Sequence, residues 1–123
     1  MSATIGERFV TALAAKDGDA LRALLDPKID FGALTPRKHW ECDGADDLVD
    51  RIVLGTWFDP GDHITEVLHV DTDDVGARHR VGYRLAVTND DGDHVVEQQA
   101  YYESDGHRIT WLRILCAGYQ PIG

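Results

Sequence analysis

His79 and Tyr102 are residues whose types suit proton chemistry. An imidazole titrates near neutral pH and can take a proton, and a phenol can donate to an oxyanion as charge develops on it. The two become neighbours if the segments around them form an antiparallel hairpin whose turn centres on Asp90-Asp91. That pairing sets Leu85 against Val96, Tyr83 against Gln98, Val81 against Ala100 and His79 against Tyr102 on one face. The other face matches Arg84 with Glu97, Arg80 with Tyr101 and Arg78 with Glu103. Opposite charges and apolar groups paired across strands are what hold a long hairpin together. A turn at Asp91-Gly92 would slide the partners but leave each residue on its face. His79 as base and Tyr102 as donor are the catalytic candidates, with Tyr83 and Gln98 placed to orient a ligand. A histidine at a strand end also serves as a hydrogen-bonded structural residue, and Tyr83 with Gln98 as packed core.

These strands need something to pack against, and the first part of the chain supplies helices. Thr4 and Glu7 have capping-box spacing, and Ile5, Phe9 and Leu13 recur every four residues with Ala12 beside them, which predicts helix one. Asp17 can cap a short helix two that buries Leu21, Leu24 and Leu25 before Asp26-Pro27 stops it. Ile29 and Phe31 alternate with Asp30 and Gly32 as a short strand, and Thr35 to Cys42, with Pro36 and Arg37-Lys38, reads as a loop. Helix three is expected from about Ala45. Asp43, Asp46 and Asp47 complement its positive end, and Leu48, Val49, Ile52 and Val53 form its buried stripe before Asp59-Pro60-Gly61. A strand over Ile64 to Val70 is expected to end in an acidic turn, Asp71 to Asp74. The last strand, Ile109 to Cys116, is apolar on both faces, so two registers stay open. A tight Asp105-Gly106 turn puts Ile109, Trp111 and Arg113 on the face of Tyr102, whereas a one-residue bulge puts Leu112, Ile114 and Cys116 there.

The chain has 123 residues, 43% hydrophobic and 28% charged, a length and composition that predict one globular domain over 1–123. Domains of this size bury about two-thirds of their unfolded surface, so no metal or disulfide staple is required. Twelve Lys and Arg against 22 Asp and Glu give a net charge of −10, which repels phosphate backbones and anionic lipid, so neither nucleic acid nor membrane is expected as a partner. No apolar run approaches the roughly 20 residues of a membrane span, and the opening Met1-Ser2-Ala3-Thr4 lacks signal-peptide character; a cytoplasmic location is expected. Cys42 and Cys116 have the spacing of separate reduced thiols.

The element order is helix, helix, strand, helix, then four strands. Together with the run Phe9-Val10-x-Ala12-Leu13-Ala14-Ala15-Lys16-Asp17-Gly18-Asp19-Ala20-Leu21-x-x-Leu24-Leu25, Gly44 before helix three, and Ile109-Thr110-x-Leu112-Arg113, it resembles the nuclear-transport-factor-2-like superfamily, most closely its SnoaL-like branch. The resemblance implies an α+β cone, with three N-terminal helices packed in a curved antiparallel β-sheet. It further implies an apolar pocket between sheet and helices and a homodimer through the outer sheet face. The ligand-binding side chains are then expected to be Phe9, Leu13, Phe31, Trp40, Trp57, Phe58, Tyr83, Gln98 and Trp111. Trp40, Trp57 and Phe58 flank helix three at the expected pocket mouth, where aromatic groups grip planar ligands and equally well pack a core. Ketosteroid isomerases of this fold use a carboxylate base with a tyrosine and a protonated aspartate. An ungapped comparison puts Phe9, Ala33 and Ala100 at those positions, which disfavours steroid isomerisation by that route.

His39, Cys42, His63 and His69 lack the helical i, i+4 spacing or CxxC arm of a metal site, so no metal is expected, and no Gly-rich cradle suggests a nucleotide cofactor. Cys116 would face the pocket under the bulged register, as a buried inert thiol in the simplest reading. The expectation is a binder of small hydrophobic molecules. If it is an enzyme, the chemistry expected is cofactor-free proton transfer, as in cyclisation, isomerisation or dehydration. The alternative is a non-catalytic ligand carrier or dimerising adaptor.

Overall fold

A computed structural model describes residues 3–122 of the chain; Met1 and Ser2, part of the N-terminal stretch read above, and Gly123 lie outside them. Helix α1 spans Ile5–Ala14, and its capping box forms as the Thr4/Glu7 spacing predicts, with the Glu7 N–H donating to Thr4 Oγ1 and the Thr4 N–H to Glu7 Oε1, both at 3.0 Å. Phe9, Val10, Ala12 and Leu13 form its buried face. Asp17 caps α2, Gly18–Leu24, by accepting from the Ala20 N–H. Helix α3 starts as one α-helical turn, Ala45–Asp47, and continues over Leu48–Trp57 with hydrogen bonds lengthened to i→i−5, as from the Phe58 N–H to the Val53 carbonyl at 2.8 Å. The wider turn still sends Leu48, Val49, Ile52, Val53 and Trp57 inward.

Six strands form one sheet: β1 Leu25–Thr35, β2 Lys38–Glu41, β3 His63–Val75, β4 Arg78–Asn89, β5 Gly92–Ser104 and β6 Ile109–Pro121, in the order β2-β1-β6-β5-β4-β3. The sheet is curved and packs the three helices, an α+β architecture. Its pairings are antiparallel except β1 with β6, which run parallel because the long excursion through α3 and the β3–β5 meander returns the chain to β1 in the same direction. The core between sheet and helices contains Phe9, Leu13, Leu21, Val49, Ile52, Phe58, Tyr83, Leu85, Val96 and Leu112, all nearly inaccessible.

Two segments differ from the sequence reading. Thr35 to Cys42 is not a loop. Pro36-Arg37, with φ +68° at Arg37, makes a tight turn into β2, and Trp40 pairs with Ala33 and buries its indole. The acidic run is not a turn either, because Asp71, Asp73 and Asp74 lie within β3 opposite Gly82, Arg80 and His79. Cationic and imidazole partners on β4 offset the poor strand propensity of aspartate, and the turn falls at Gly76-Ala77, where Gly76 takes φ +61°.

The β4–β5 hairpin has the expected register throughout, from Asn89 opposite Gly92 to His79 opposite Tyr102. For β6 the bulged register is the one found. Gln98 faces Cys116, Ala100 faces Ile114 and Tyr102 faces Leu112, with one irregularity between Glu103 and Ser104 and a second between Val96 and Gln98. Asp105 accepts from the His107 and Arg108 N–H groups and so builds a longer loop than the two-residue turn. Trp111 is therefore corrected from a pocket residue to an outer-face residue. It lies opposite Glu103, between the guanidiniums of Arg78 and Arg113 at 4.0 and 4.7 Å from its ring.

Candidate functional site

The strand registers bring three side chains together near the N-terminus of α1. Asp74 on β3 lies opposite His79 on β4, which lies opposite Tyr102 on β5. His79 Nδ1 is 2.6 Å from Asp74 Oδ1, and the imidazole and phenol rings are 5.2 Å apart. A carboxylate only accepts, so the neutral ring carries its proton on Nδ1 and leaves Nε2 as the free lone pair. The Tyr102 hydroxyl accepts the Gly6 N–H at 3.0 Å, which keeps its own proton available for donation. Burial pushes the Tyr102 phenol above its usual range, outweighing the opposing effects of the Gly6 N–H and the Thr4 side chain, so it stays protonated at neutral pH.

These groups border a cleft of about 470 Å³ with Thr4, Ile5, Thr72, Asp73, Arg80 and Ser104. His79 is 43% exposed at its rim, while Tyr102 is buried below. Arg80 is committed to the outer face, donating to Asp71 Oδ2 at 2.7 Å and Gln99 Oε1 at 2.9 Å, and Asp71 is held below the usual aspartate range chiefly by that bond. Asp74 was not among the candidates from sequence. The acidic run masked it, and only the β3 extension to Val75 places it on His79.

The remaining candidates divide between a packed interior and a second cavity. Phe9, Leu13, Phe31 and Tyr83 are core side chains, with the Phe9 and Tyr83 rings 6.4 Å apart. Tyr83 donates to Gln98 Oε1 at 2.5 Å, and full burial drives its phenol far above the usual range. Trp40 packs edge-on against Trp57 at 6.0 Å, and Trp57 also meets Phe31 at 6.2 Å. Trp57, Phe58 and Gln98, joined by Thr35, Cys116 and Tyr119, border a smaller cavity of about 190 Å³ at the end of α3. The structure thus sets His79 with Tyr102 at one cavity, and Trp57 with Phe58 and Gln98 at another. Tyr119 donates to the Trp57 carbonyl at 2.5 Å, and no motif in the sequence marked it.

The outer sheet face carries the expected charge pairs. Arg84 donates to Glu97 at 2.7 Å, and Arg78 lies 3.5 Å from Glu103. Beside them Leu34 and Leu115, paired across β1 and β6, are each 51% exposed. Among the described residues no group of three or more His, Cys, Asp or Glu side chains is gathered for a metal ion. No described helix is long and apolar enough to cross a membrane.

No family model matches the sequence, and no curated protein matches it. Solved structures do. An NTF2-like protein from Burkholderia thailandensis superposes with a TM-score of 0.66 at 18% identity, over 91% of this chain and 87% of that one. A candidate isomerase from Rhodopseudomonas palustris gives a TM-score of 0.69 at 16% identity, over 94% and 91%. An LEH-like epoxide hydrolase from M. tuberculosis gives 0.65 at 16% identity, over 91% and 79%. The chain therefore has the NTF2-like fold, as the sequence resemblance implied.

Proposed function

We propose that this domain binds a small organic molecule carrying a carbonyl group in the Asp74–His79–Tyr102 cleft and transfers a proton on it without a cofactor. The observation that carries this reading is the 2.6 Å contact of Asp74 with His79 Nδ1 beside the buried Tyr102 phenol. His79 Nε2 takes a proton from a carbon next to a carbonyl as the C–H pair moves into the enolate. Asp74 stabilises the imidazolium that forms, and the Tyr102 hydroxyl donates to the enolate oxygen. The proton then returns from His79 to the product carbon. That an isomerase candidate and an epoxide hydrolase share this fold is consistent with small-molecule chemistry, though fold alone assigns no activity.

The test is hydrogen exchange of cyclic ketones in heavy water, followed by NMR. Exchange should exceed the protein-free rate and fall by about 10²–10⁴ in His79→Asn, the usual contribution of a positioned acid or base. Exchange equal to buffer, or unchanged in His79→Asn, would reject the assignment. Native mass spectrometry of protein taken from its source cells would identify a co-purifying ligand.

We further propose that two copies associate through the outer sheet face. The exposed Leu34–Leu115 pair, set among charge pairs that a two-fold axis can match, supports this. A non-catalytic adaptor is the second reading, favoured by how completely Phe9, Leu13 and Tyr83 fill the interior.

A further inference from the structure

We infer, resting on the proton-transfer reading of the Asp74–His79–Tyr102 cleft, that its substrate is a neutral, polyhydroxylated ketone whose carbonyl is moved to the neighbouring carbon. Side chains alternate along a strand, so Thr72 shares a face with Asp74 on β3, and Ser104 shares one with Tyr102 on β5. With Thr4 they set three hydroxyls around the His79–Tyr102 pair, and Ile5 is the one aliphatic side chain among the described residues of the wall. The Thr4 hydroxyl accepts the Glu7 N–H at 3.0 Å, and the Ser104 hydroxyl accepts the Gly106 N–H at 3.3 Å. A hydroxyl that accepts keeps its own proton to give. The wall therefore offers donors and acceptors to hydroxyl groups on a ligand, and little surface to an alkyl chain.

Charge narrows the class. Arg80 is the one lysine or arginine among the described residues of the wall, and Asp71 and Gln99 already hold it. Asp73 and Asp74 bring carboxylates to the same wall, so a phosphate or carboxylate ligand would meet like charge and no free cation. A cationic ligand is disfavoured by the chemistry, because His79 becomes positive as it takes the proton and a second positive charge beside it would lower its basicity. The volume of about 470 Å³ corresponds to about fifteen waters at roughly 30 Å³ each, room for a ketose of up to about six carbons. A hydroxyl on the carbon that loses its proton fixes the outcome. His79 Nε2 takes the C–H proton, the C–H pair becomes a carbon–carbon double bond, and the carbonyl oxygen takes the Tyr102 proton, giving an enediol. The other enediol oxygen returns a proton to the Tyr102 phenolate and its pair re-forms a carbonyl, while His79 gives its proton to the former carbonyl carbon. The net change is a ketose turned into an aldose, with no oxidant or reductant.

The experiment titrates the ¹⁵N-labelled full chain with erythrulose, with the branched ketone that carries a methyl group in place of each hydroxyl, and with the phosphate ester of erythrulose as the anion. Erythrulose should give saturable shifts of the Thr72, His79 and Ser104 backbone N–H groups. The other two probes should bind at least about tenfold more weakly, the worth of one or more hydrogen bonds. Thr72→Val and Ser104→Ala should each cut the ratio of the erythrulose and methylated-ketone affinities about three- to tenfold. If either variant does not fold, the wild-type titrations decide. In heavy water, deuterated aldotetrose should accumulate, and its rate should fall by about 10²–10⁴ in His79→Asn. The proposal is overturned if the shifts do not saturate, if the methylated ketone or the phosphate ester binds as tightly as erythrulose, or if deuterium enters erythrulose without aldose forming. Exchange of cyclic ketones with no preference for erythrulose removes this substrate class alone. Preference for erythrulose with no exchange of any ketone removes the proton-transfer reading, and the carbonyl shift with it.

Discussion

Gly6 gives its backbone N–H to the Tyr102 hydroxyl, tying the first turn of α1 to the centre of the sheet. The first N–H groups of a helix have no partner within it. Thr4 satisfies the one at Glu7, and Tyr102, 96 residues away, satisfies the one at Gly6. Glycine is needed here for space. A Cβ on Gly6 would lie 2.9 Å from the phenol oxygen and 3.0 Å from Val81 Cβ.

Gly6→Ala is therefore expected to destabilise. Alanine favours the helix by about 1 kcal/mol, but overpacking against a buried tyrosine and a strand valine costs up to about 3 kcal/mol, leaving a net loss of roughly 2 kcal/mol. Tyr102→Phe removes the acceptor without the clash and should cost about 1–3 kcal/mol through the unpaired N–H. Urea unfolding of both variants checks this, and a Gly6→Ala midpoint equal to wild type would contradict the packing described.

The register of β6 makes opposite predictions for adjacent residues. Leu112 is 1% exposed opposite Tyr102, so Leu112→Ala should cost about 2–5 kcal/mol. Trp111, between two guanidiniums on the outer face, should lose only about 1 kcal/mol on truncation to alanine. Equal losses, or the reverse order in thermal or chemical unfolding, would indicate the unbulged alignment.

How much could be read in advance follows from what each segment advertises. Thr4 and Glu7, Asp17, and the Arg84–Glu97 and Tyr83–Gln98 pairs are local or matched signals, and each appears in place. The β6 register was ambiguous because Trp111, Leu112, Ile114 and Leu115 offer apolar side chains to both faces. β2 was hidden because Pro36 and Arg37-Lys38 carry loop chemistry, while its stabilising contact, Trp40 on Trp57, comes from residues far along the chain. The lengthened turns of α3 leave no trace in the spacing of Leu48, Val49, Ile52 and Val53, since those positions face inward under either geometry. At the candidate site the His79–Tyr102 neighbourhood was legible from hairpin pairing. Asp74 was not, because an aspartate run looks like a turn until Arg80 and His79 are seen across from it.

The outer face offers a direct test of association. Leu34 and Leu115 are neighbours on β1 and β6, both half exposed, and a charge placed there would face its own symmetry copy. Leu115→Asp should convert a dimer to monomer in sedimentation equilibrium while leaving the far-UV circular dichroism unchanged. A wild-type protein that sediments as a monomer at high micromolar concentration would exclude this interface.

Acid stability should report the first turn of α3, where Asp47 lies. Asp47 accepts from Arg51 Nε at 2.7 Å and from the Asp43 N–H at 2.9 Å, and these bonds, Arg51 first, hold its carboxyl at about 2. An unfolded aspartate titrates near about 3.9. Because the folded value is depressed, the stabilisation is fully present above the unfolded value and fades as pH falls toward the folded one, where both states are becoming protonated. Thermal midpoints of wild type and Asp47→Asn should therefore differ by a constant amount above about pH 5, and the gap should shrink between about pH 4 and pH 2. Asparagine can still accept from Asp43 but cannot pair ionically with Arg51, so the pH-dependent part of the gap isolates the charge. A gap that stays constant down to pH 2 would mean that the Arg51 contact contributes through packing and neutral hydrogen bonding alone.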